Sequence, residues 1–486
     1  MTELKLFIDG EFVNSERGDT FEVRNPATSE VIGTAAKGTR EDVRRAADSA
    51  KEAFRTWSEI EPLNRGKILM KVADLLRESE DELSVAITKE QGKTLKEAAN
   101  EVRGSAHILE FYATAATHMR GTAFRLSEQG KLANVLKKPV GVTGIILPWN
   151  YPVGIMAYTS APPLMAGCTL VVKPASTTPL TSGLMAEKFT QAGLPKGVLN
   201  IVTGPGSTVG EEILEHPDIR KISFTGETET GKHVMEVAAK RIKRVTLELG
   251  GSDPMIVAGD ANLDLAADAV TWSRFTNAGQ TCGATKRLYL FEDIADSFIQ
   301  RLLRNVERTK VGNGLEPETR MGPVNNAQQL ERVEEQVTDA VNRGAKPIHG
   351  GARLRGKGYE NGFFFAPTLL TDVPADSEIS REECFGPALP IFRVKDMKEA
   401  IERANDSKYG LCSSVWTADI KKATRAANEL ETGYTYVNTY PASLVEAPFG
   451  GFKESGVGRV YGVETIDGFL ETKSVIFGVE DSRIPW

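Results

Sequence analysis

"TLVVKPASTTPLTSGLMAEKFTQAGLPKGVLNIVTGPGSTVG", residues 169–210, holds two apolar runs of strand character, TLVVK and GVLNIVTG. A segment of helical period separates them, and a glycine-bearing loop follows the second. Two strands joined through a helix belong side by side in a parallel sheet, with the helix packed over one face.

The alternation extends in both directions. Upstream, GVTGIIL (141–147) leads through a Pro-rich turn into a helix; downstream, STVGEEILEH (207–216), KISFTG (221–226) and TETGKHVMEVAAK (228–240) continue the series. This spacing predicts a Rossmann-like unit reaching to about residue 250. RVTLELGG (244–251) closes it as a strand with Val245, Leu247 and Leu249 on one face and Thr246 and Glu248 on the other, ended by Gly250 and Gly251. DANLDLAADAVTWSRFTNAG (260–279) is helical by spacing, with Asp260 or Asn262 as its cap. Strands and helices then alternate to about residue 450, which predicts a second α/β unit. Residues 121–139 and ETKSVIFGV (471–479) read as strands outside both units, either an arm used in oligomerisation or a locally paired sheet. No internal repeat is present.

Composition limits the function classes. A chain of 486 residues exceeds the roughly 250–300 that one core supports, so two large domains are expected. With 41% apolar and 26% charged residues the chain is a folded globular protein rather than a disordered one. A net charge of −7 without any Lys/Arg block gives neither nucleic acid nor an anionic membrane a surface to bind. The least polar stretch, Pro152 to Val172, is interrupted by Ser160, Pro162 and Pro163 and reads as buried core rather than a membrane span. The N-terminus has no secretory signal pattern, so a cytoplasmic protein is expected. Cysteines at 168, 282, 384 and 412 are too dispersed for a disulfide framework or paired metal ligands, and the five histidines form no HExxH cluster. No metal is expected.

GPGSTVG (204–210) and GETETGKH (226–233) both stand between a strand and a helix. The first is one residue longer than the dinucleotide pattern; the second nearly spells a phosphate loop, but His233 replaces the hydroxyl residue that would hold magnesium. Both direct backbone N–H groups toward a helix N-terminus, where anions are favoured, so a phosphate-bearing cofactor fits. Among the cysteines, Cys168 and Cys412 lie in apolar runs and Cys384 beside two carboxylates; Cys282, in NAGQTCGATK (277–286), alone has polar and glycine neighbours suited to a nucleophile.

Together PWN (148–150), VVKPAS (171–176), FTGETETG (224–231), LELGG (247–251), FTNAGQTC (275–282), EECFGP (382–387) and PFGGFKESGVGR (448–459) span nearly the whole chain, and in this order they resemble the aldehyde dehydrogenase superfamily. The resemblance implies two Rossmann-like α/β domains and a small β arm that builds a homodimer or homotetramer. It places the cofactor-binding domain at 1–120 and 140–250, the catalytic domain at 251–450, and the arm with the C-terminal segment at 121–139 and 451–486. It implies Cys282 as nucleophile, Glu248 as general base and Asn150 as side-chain donor of the oxyanion hole. Trp149, Lys173, Ser176, Gly210, Gly226, Glu227, Leu249, Glu383 and Phe385 fall at cofactor positions, Lys173 at the adenosine ribose and Glu383 at the nicotinamide ribose.

The implied reaction is oxidation of an aldehyde with water to a carboxylate through a cysteine thiohemiacetal and thioester. Many relatives that prefer NAD carry a glutamate where this chain has Ser176, so NADP is expected as cofactor, with NAD also accepted. Glu227 departs from the serine common after FTG, and its orientation is left open. Tyr158 stands where succinate-semialdehyde relatives often carry arginine, and Thr281 stands where some relatives acting on phosphorylated aldehydes do. A dicarboxylic semialdehyde therefore requires another cation, such as Arg274, to reach the pocket. A semialdehyde dehydrogenase is one alternative; a P-loop NTPase using Lys232 and a catalytically silent relative are alternatives from other classes.

Overall fold

The strand Thr169–Lys173 pairs in parallel with Val142–Ile146 on one side and Leu199–Ile201 on the other. This computed structural model describes residues 2–115, 119–440, 442 and 444–478. Alternate residues of the strand enter different cores: Leu170 and Val172 pack on one face of the sheet and Val171 on the other. Burial on both faces is why the middle of the run, Leu170 to Val172, is continuously apolar rather than alternating. Burying one such side chain contributes about 1.5–3 kcal/mol, so the run anchors the sheet.

The full sheet runs Gly456–Val457, Arg244–Glu248, Ile219–Thr225, Val142–Ile146, Thr169–Lys173, Leu199–Ile201, Leu6–Ile8, Glu11–Val13. From Val142–Ile146 the chain adds strands first toward Leu199–Ile201, then returns to add Ile219–Thr225 and Arg244–Glu248 on the other side. The order reverses between Val142–Ile146 and Ile219–Thr225. Crossover connections there leave in opposite directions, and a crevice is left beyond the carboxyl ends of those strands.

A second sheet runs Lys346–His349, Thr368–Thr371, Ala388–Val394, Thr285–Phe291, Asp253–Val257, Cys412–Trp416, Tyr434–Val437, parallel except at its first pair. Thr122–Arg125, Lys131–Pro139 and Leu470–Gly478 form a separate antiparallel sheet, so the strands expected outside the α/β units pair with one another. Residues 479–486 of the C-terminal segment lie outside the described residues.

Two sequence expectations change. Residues after 450 do not all accompany the arm, because Gly456 and Val457 pair antiparallel with Glu248 and Leu247 at the edge of the first sheet. Gly456 has φ 145°, and a Cβ there would collide with the Leu247 carbonyl, so glycine is required. The helix expected over 260–279 begins after Asn262, whose side chain caps Leu265 N–H, but ends at Phe275. Asn277, Ala278 and Gly279 then take left-handed backbone, with φ 53°, 52° and 76°.

The helix Pro152–Ala166 is buried all along except at Gly154 and opens with Pro152 at its first turn, where no N–H is needed. Glu101 accepts from the free N–H groups of that helix's first turn, Val153 N–H at 2.9 Å and Gly154 N–H at 3.0 Å, and the buried Lys93 ammonium neutralises it. A carboxylate at a helix N-terminus is stabilising by up to about 2 kcal/mol when partly buried. This arrangement fixes the turn just before the helix, which carries Trp149 and Asn150.

Candidate active site

At the crevice between Val142–Ile146 and Ile219–Thr225 lies a cleft of about 580 Å³. Asn150, Glu248 and Cys282 all line it, although they are separated by 98 and 34 positions along the chain. Trp149, Gly226, Glu227, Leu249, Glu383 and Phe385 line it as well. Lys173, Ser176 and Gly210 are not among its walls.

Glu248 ends the edge-side strand Arg244–Glu248 and is 3% exposed, so it is not the solvated strand-end acid its position suggests. Its carboxyl is pushed up to about 8, chiefly by burial and then by the Glu383 charge, against the pull of Lys286. Glu248 Oε1 is buried and has no partner, and Cys282 lines the same cleft. Burial first, and the adjacent Glu248 second, push the thiol well above its ordinary value. The Cys282 thiol is therefore neutral at rest, in the cleft that Glu248 also lines. The other three cysteines are buried, and burial leads the upward shift of each thiol.

Asn150 is 4% exposed and its Nδ2 donates to the Gln280 carbonyl at 3.0 Å, leaving its second amide hydrogen for a ligand. Its own carbonyl accepts from Lys93 Nζ and Asn277 Nδ2, each at 2.9 Å. Asn277 N–H also donates to Glu97 Oε1 at 2.8 Å. These bonds hold the left-handed turn Asn277–Gly279, which carries the chain from helix to Cys282. Left-handed alanine is strained, and such strain persists where surroundings over-determine it.

The cofactor positions form two groups. In the cleft, Trp149 and Phe385 meet edge to face with ring centroids 5.6 Å apart, and Glu383 Oε1 accepts from Gly251 N–H at 3.1 Å. A Cβ on Gly250 would collide with the Glu383 carboxylate. Leu249 packs where a side chain on Gly231 would stand, and Gly226 N–H donates to the Glu248 carbonyl. Glu227 caps no N–H with its side chain and stands exposed at the mouth, before the helix Thr228–Ala239. The next residue, Thr228, is buried with a partnerless hydroxyl at that helix's N-terminus, a place suited to an anion. In the second group, Ser176 donates to the Gly204 carbonyl at 3.1 Å, and the Lys173 stem passes Gly210. Lys173 is buried, which lowers its ammonium to about 8. An aromatic pair, a carboxylate, an unpartnered hydroxyl at a helix start and a lysine beside a glycine loop fit an elongated dinucleotide.

Arg274 does not reach the cleft. Fully buried, it donates to the backbone carbonyls of Gly279, Thr285, Cys384 and Gly386. Arg274→Met leaves these acceptors without that donor and should cost about 3 kcal/mol or more in chemical denaturation; a loss under about 0.5 kcal/mol would contradict the assignment. Tyr158 is buried against Tyr461, ring centroids 5.1 Å apart. The phosphate-loop alternative fares poorly: Lys232 is held by Glu229 at 2.9 Å and Glu454 at 3.1 Å, and His233 pairs with Glu211.

Three side chains that contribute here were missed from sequence. Lys286 donates to the Cys282 carbonyl and pairs with Glu383 at 2.9 Å; the signal was a lysine at the head of a strand, Thr285–Phe291, that is buried throughout. Lys93 and Glu101 are remote in sequence from everything they orient, and their charged, helical neighbours read as surface.

Comparison with known proteins completes the description. A model of the Aldehyde dehydrogenase family matches residues 12–475. A glutarate-semialdehyde dehydrogenase of Pseudomonas aeruginosa is 40% identical over 98% of this chain and 97% of its own. The NADP(+) succinate-semialdehyde dehydrogenase GabD of Escherichia coli is 39% identical over 98% of both. The crystal structure of betaine aldehyde dehydrogenase from Staphylococcus aureus in complex with NAD+ superposes with a TM-score of 0.97 at 36% identity, covering 99% of this chain and 96% of that one.

Proposed function

The chain belongs to the aldehyde dehydrogenase family and is an NAD(P)-dependent aldehyde-oxidising enzyme, and on that premise we propose that it releases a free carboxylate through a thioester on Cys282, with NADP as cofactor and NAD also accepted. The observation that carries this reading is that Cys282, the buried Glu248 and Asn150 line one cleft at the crevice.

Sulfur adds to the aldehyde carbon as the thiol proton passes to solvent water at the open cleft. Asn150 Nδ2 and the Cys282 backbone N–H hold the resulting oxyanion. When bound, the dinucleotide accepts the hydride that leaves the thiohemiacetal carbon. Glu248, as a carboxylate, removes a proton from the water that cleaves the thioester and passes it to the departing sulfur, returning the thiol and the acid. A bound dinucleotide would be held at its nicotinamide end by Trp149 and Phe385 with Glu383 on that ribose, in the middle by Gly226, Glu227 and Leu249, and at the adenosine end by Lys173, Ser176 and Gly210.

We assign cofactor binding to residues 1–120 and 140–250, catalysis to 251–450, and a homodimer or homotetramer contact to the arm at 121–139 with the C-terminal strand. The arm's outer strands carry exposed Phe124, Ile476 and Phe477, which supports that assignment. No described helix is long and apolar enough to cross a membrane; a cytoplasmic location is supported by four free thiols.

A semialdehyde substrate is the second reading, favoured by the names of the two semialdehyde dehydrogenases above. Engagement of Arg274 with carbonyls weighs against it. Specificity constants for aliphatic, aromatic, hydroxy and semialdehyde substrates, each with NAD and NADP, separate the readings; a preference for semialdehydes establishes the second. Ser176→Glu should lower the constant for NADP tenfold or more, because like charges brought together cost several kcal/mol, and leave that for NAD nearly unchanged. A parent enzyme already strongly selective for NAD would overturn the cofactor reading.

A further inference from the structure

Thr285–Phe291 sits inside the second sheet between Ala388–Val394 and Asp253–Val257, and all seven residues are buried. A lysine there is costly unless its three donors are used. Lys286 is 1% exposed; its ammonium donates to the carbonyl of Cys282, four residues back, and lies 2.9 Å from Glu383 Oε1. The same carboxylate oxygen accepts from Gly251 N–H, in the turn that follows Glu248. One cation thus ties together the loop bearing the nucleophile, the strand end bearing the base, and Glu383.

The titratable groups that feel this ammonium are the carboxyls Glu248, Asp253 and Glu383 and the thiols Cys282, Cys384 and Cys412; its direct contacts are the Cys282 carbonyl and Glu383. Two neighbouring guanidiniums do not share the task. Arg274 donates to the four carbonyls named above, and Arg287 donates to the carbonyls of Ser252, Arg403 and Ala404. Burial lowers the Lys286 ammonium but Glu383 and Asp253 outweigh it, so the lysine stays charged.

We propose that Lys286 is a positioning residue for aldehyde oxidation: its ammonium bridges the Cys282 carbonyl and the Glu383 carboxylate, registering the nucleophile against the nicotinamide end of the cofactor and offsetting the charge that develops on sulfur. This inference rests on the function proposed above. No bond is made or broken at Lys286 itself. Its bridge fixes where sulfur stands relative to the carbon that loses hydride, and a misplacement of about 1 Å can cost 10²-fold in rate.

The test compares parent, Lys286→Met and Lys286→Arg as cofactor-free proteins, following iodoacetamide alkylation of Cys282 against pH by peptide mass spectrometry. Losing the cation should move the alkylation midpoint up by about one pH unit or more, and the arginine variant should restore it. In turnover the methionine variant should lose tenfold or more in kcat and raise KM for NADP while leaving KM for aldehyde nearly unchanged. Lys286→Gln, which keeps a donor without the charge, replaces the methionine variant if that one does not fold, with the same expected midpoint shift. A folded neutral variant whose alkylation midpoint, kcat and cofactor KM all match the parent overturns the proposal. Failure of the underlying reading is separately visible: a parent in which Cys282→Ala still oxidises aldehyde refutes the nucleophile, whatever Lys286 does.

Discussion

Cys282→Ala is expected to lower kcat on the order of 10,000-fold or more while cofactor still binds. The size follows from covalent catalysis, in which the carbon to be oxidised becomes a thiohemiacetal only if sulfur adds to it. No other described thiol can substitute. Cys168, Cys384 and Cys412 are buried, and although a side chain on Gly283 would contact the Cys412 sulfur, that thiol is 1% exposed. Binding should persist because Trp149, Glu383 and Phe385 are untouched, and quenching of tryptophan fluorescence by the dinucleotide reads it. Residual turnover within about tenfold of the parent would mean that aldehyde is oxidised without covalent attachment.

Glu248→Gln should separate the two halves of the reaction. The amide cannot take a proton from water, so thioester hydrolysis should slow by roughly 10²- to 10⁴-fold, the usual worth of a general base. Rapid mixing should then show a burst of reduced cofactor of about one equivalent, followed by a slow steady rate. The pH dependence has a definite sign. With its carboxyl raised to about 8, Glu248 is protonated at lower pH and cannot act as base. Hydrolysis-limited kcat should therefore rise as pH climbs through about 8 and fall away below it, and this limb should vanish in the glutamine variant. An unchanged steady rate in Glu248→Gln would remove it from the role of base.

Much of the architecture was readable because it rests on local pattern. The middle of TLVVK, Leu170 to Val172, is apolar because both faces of the strand are covered, and the glycines that end LELGG mark where backbone and Glu383 approach closely. The site was readable as types of residue but not as an arrangement. Glu248 and Cys282 meet because two sheets bring their strand and loop ends to one crevice, and no local pattern carries that. The helix ending at Phe275 was overestimated because Ala278 has no intrinsic reason to turn left-handed; Asn277, bonded to Asn150 and Glu97, imposes it. Lys286 was invisible for a similar reason, since its partners, Cys282 and Glu383, lie 4 and 97 positions away on different elements. Arg274, a cation near the nucleophile in sequence, proved to be a brace for four carbonyls.

Turnover by this mechanism requires an acyl group carried by Cys282. Glu248→Gln should be mixed with aldehyde and NADP, quenched in acid during the burst, and digested for peptide mass spectrometry. The predicted result is an acyl adduct on Cys282, equal in amount to the reduced cofactor formed. Reduced cofactor without an adduct, or an adduct on any other residue, would contradict it.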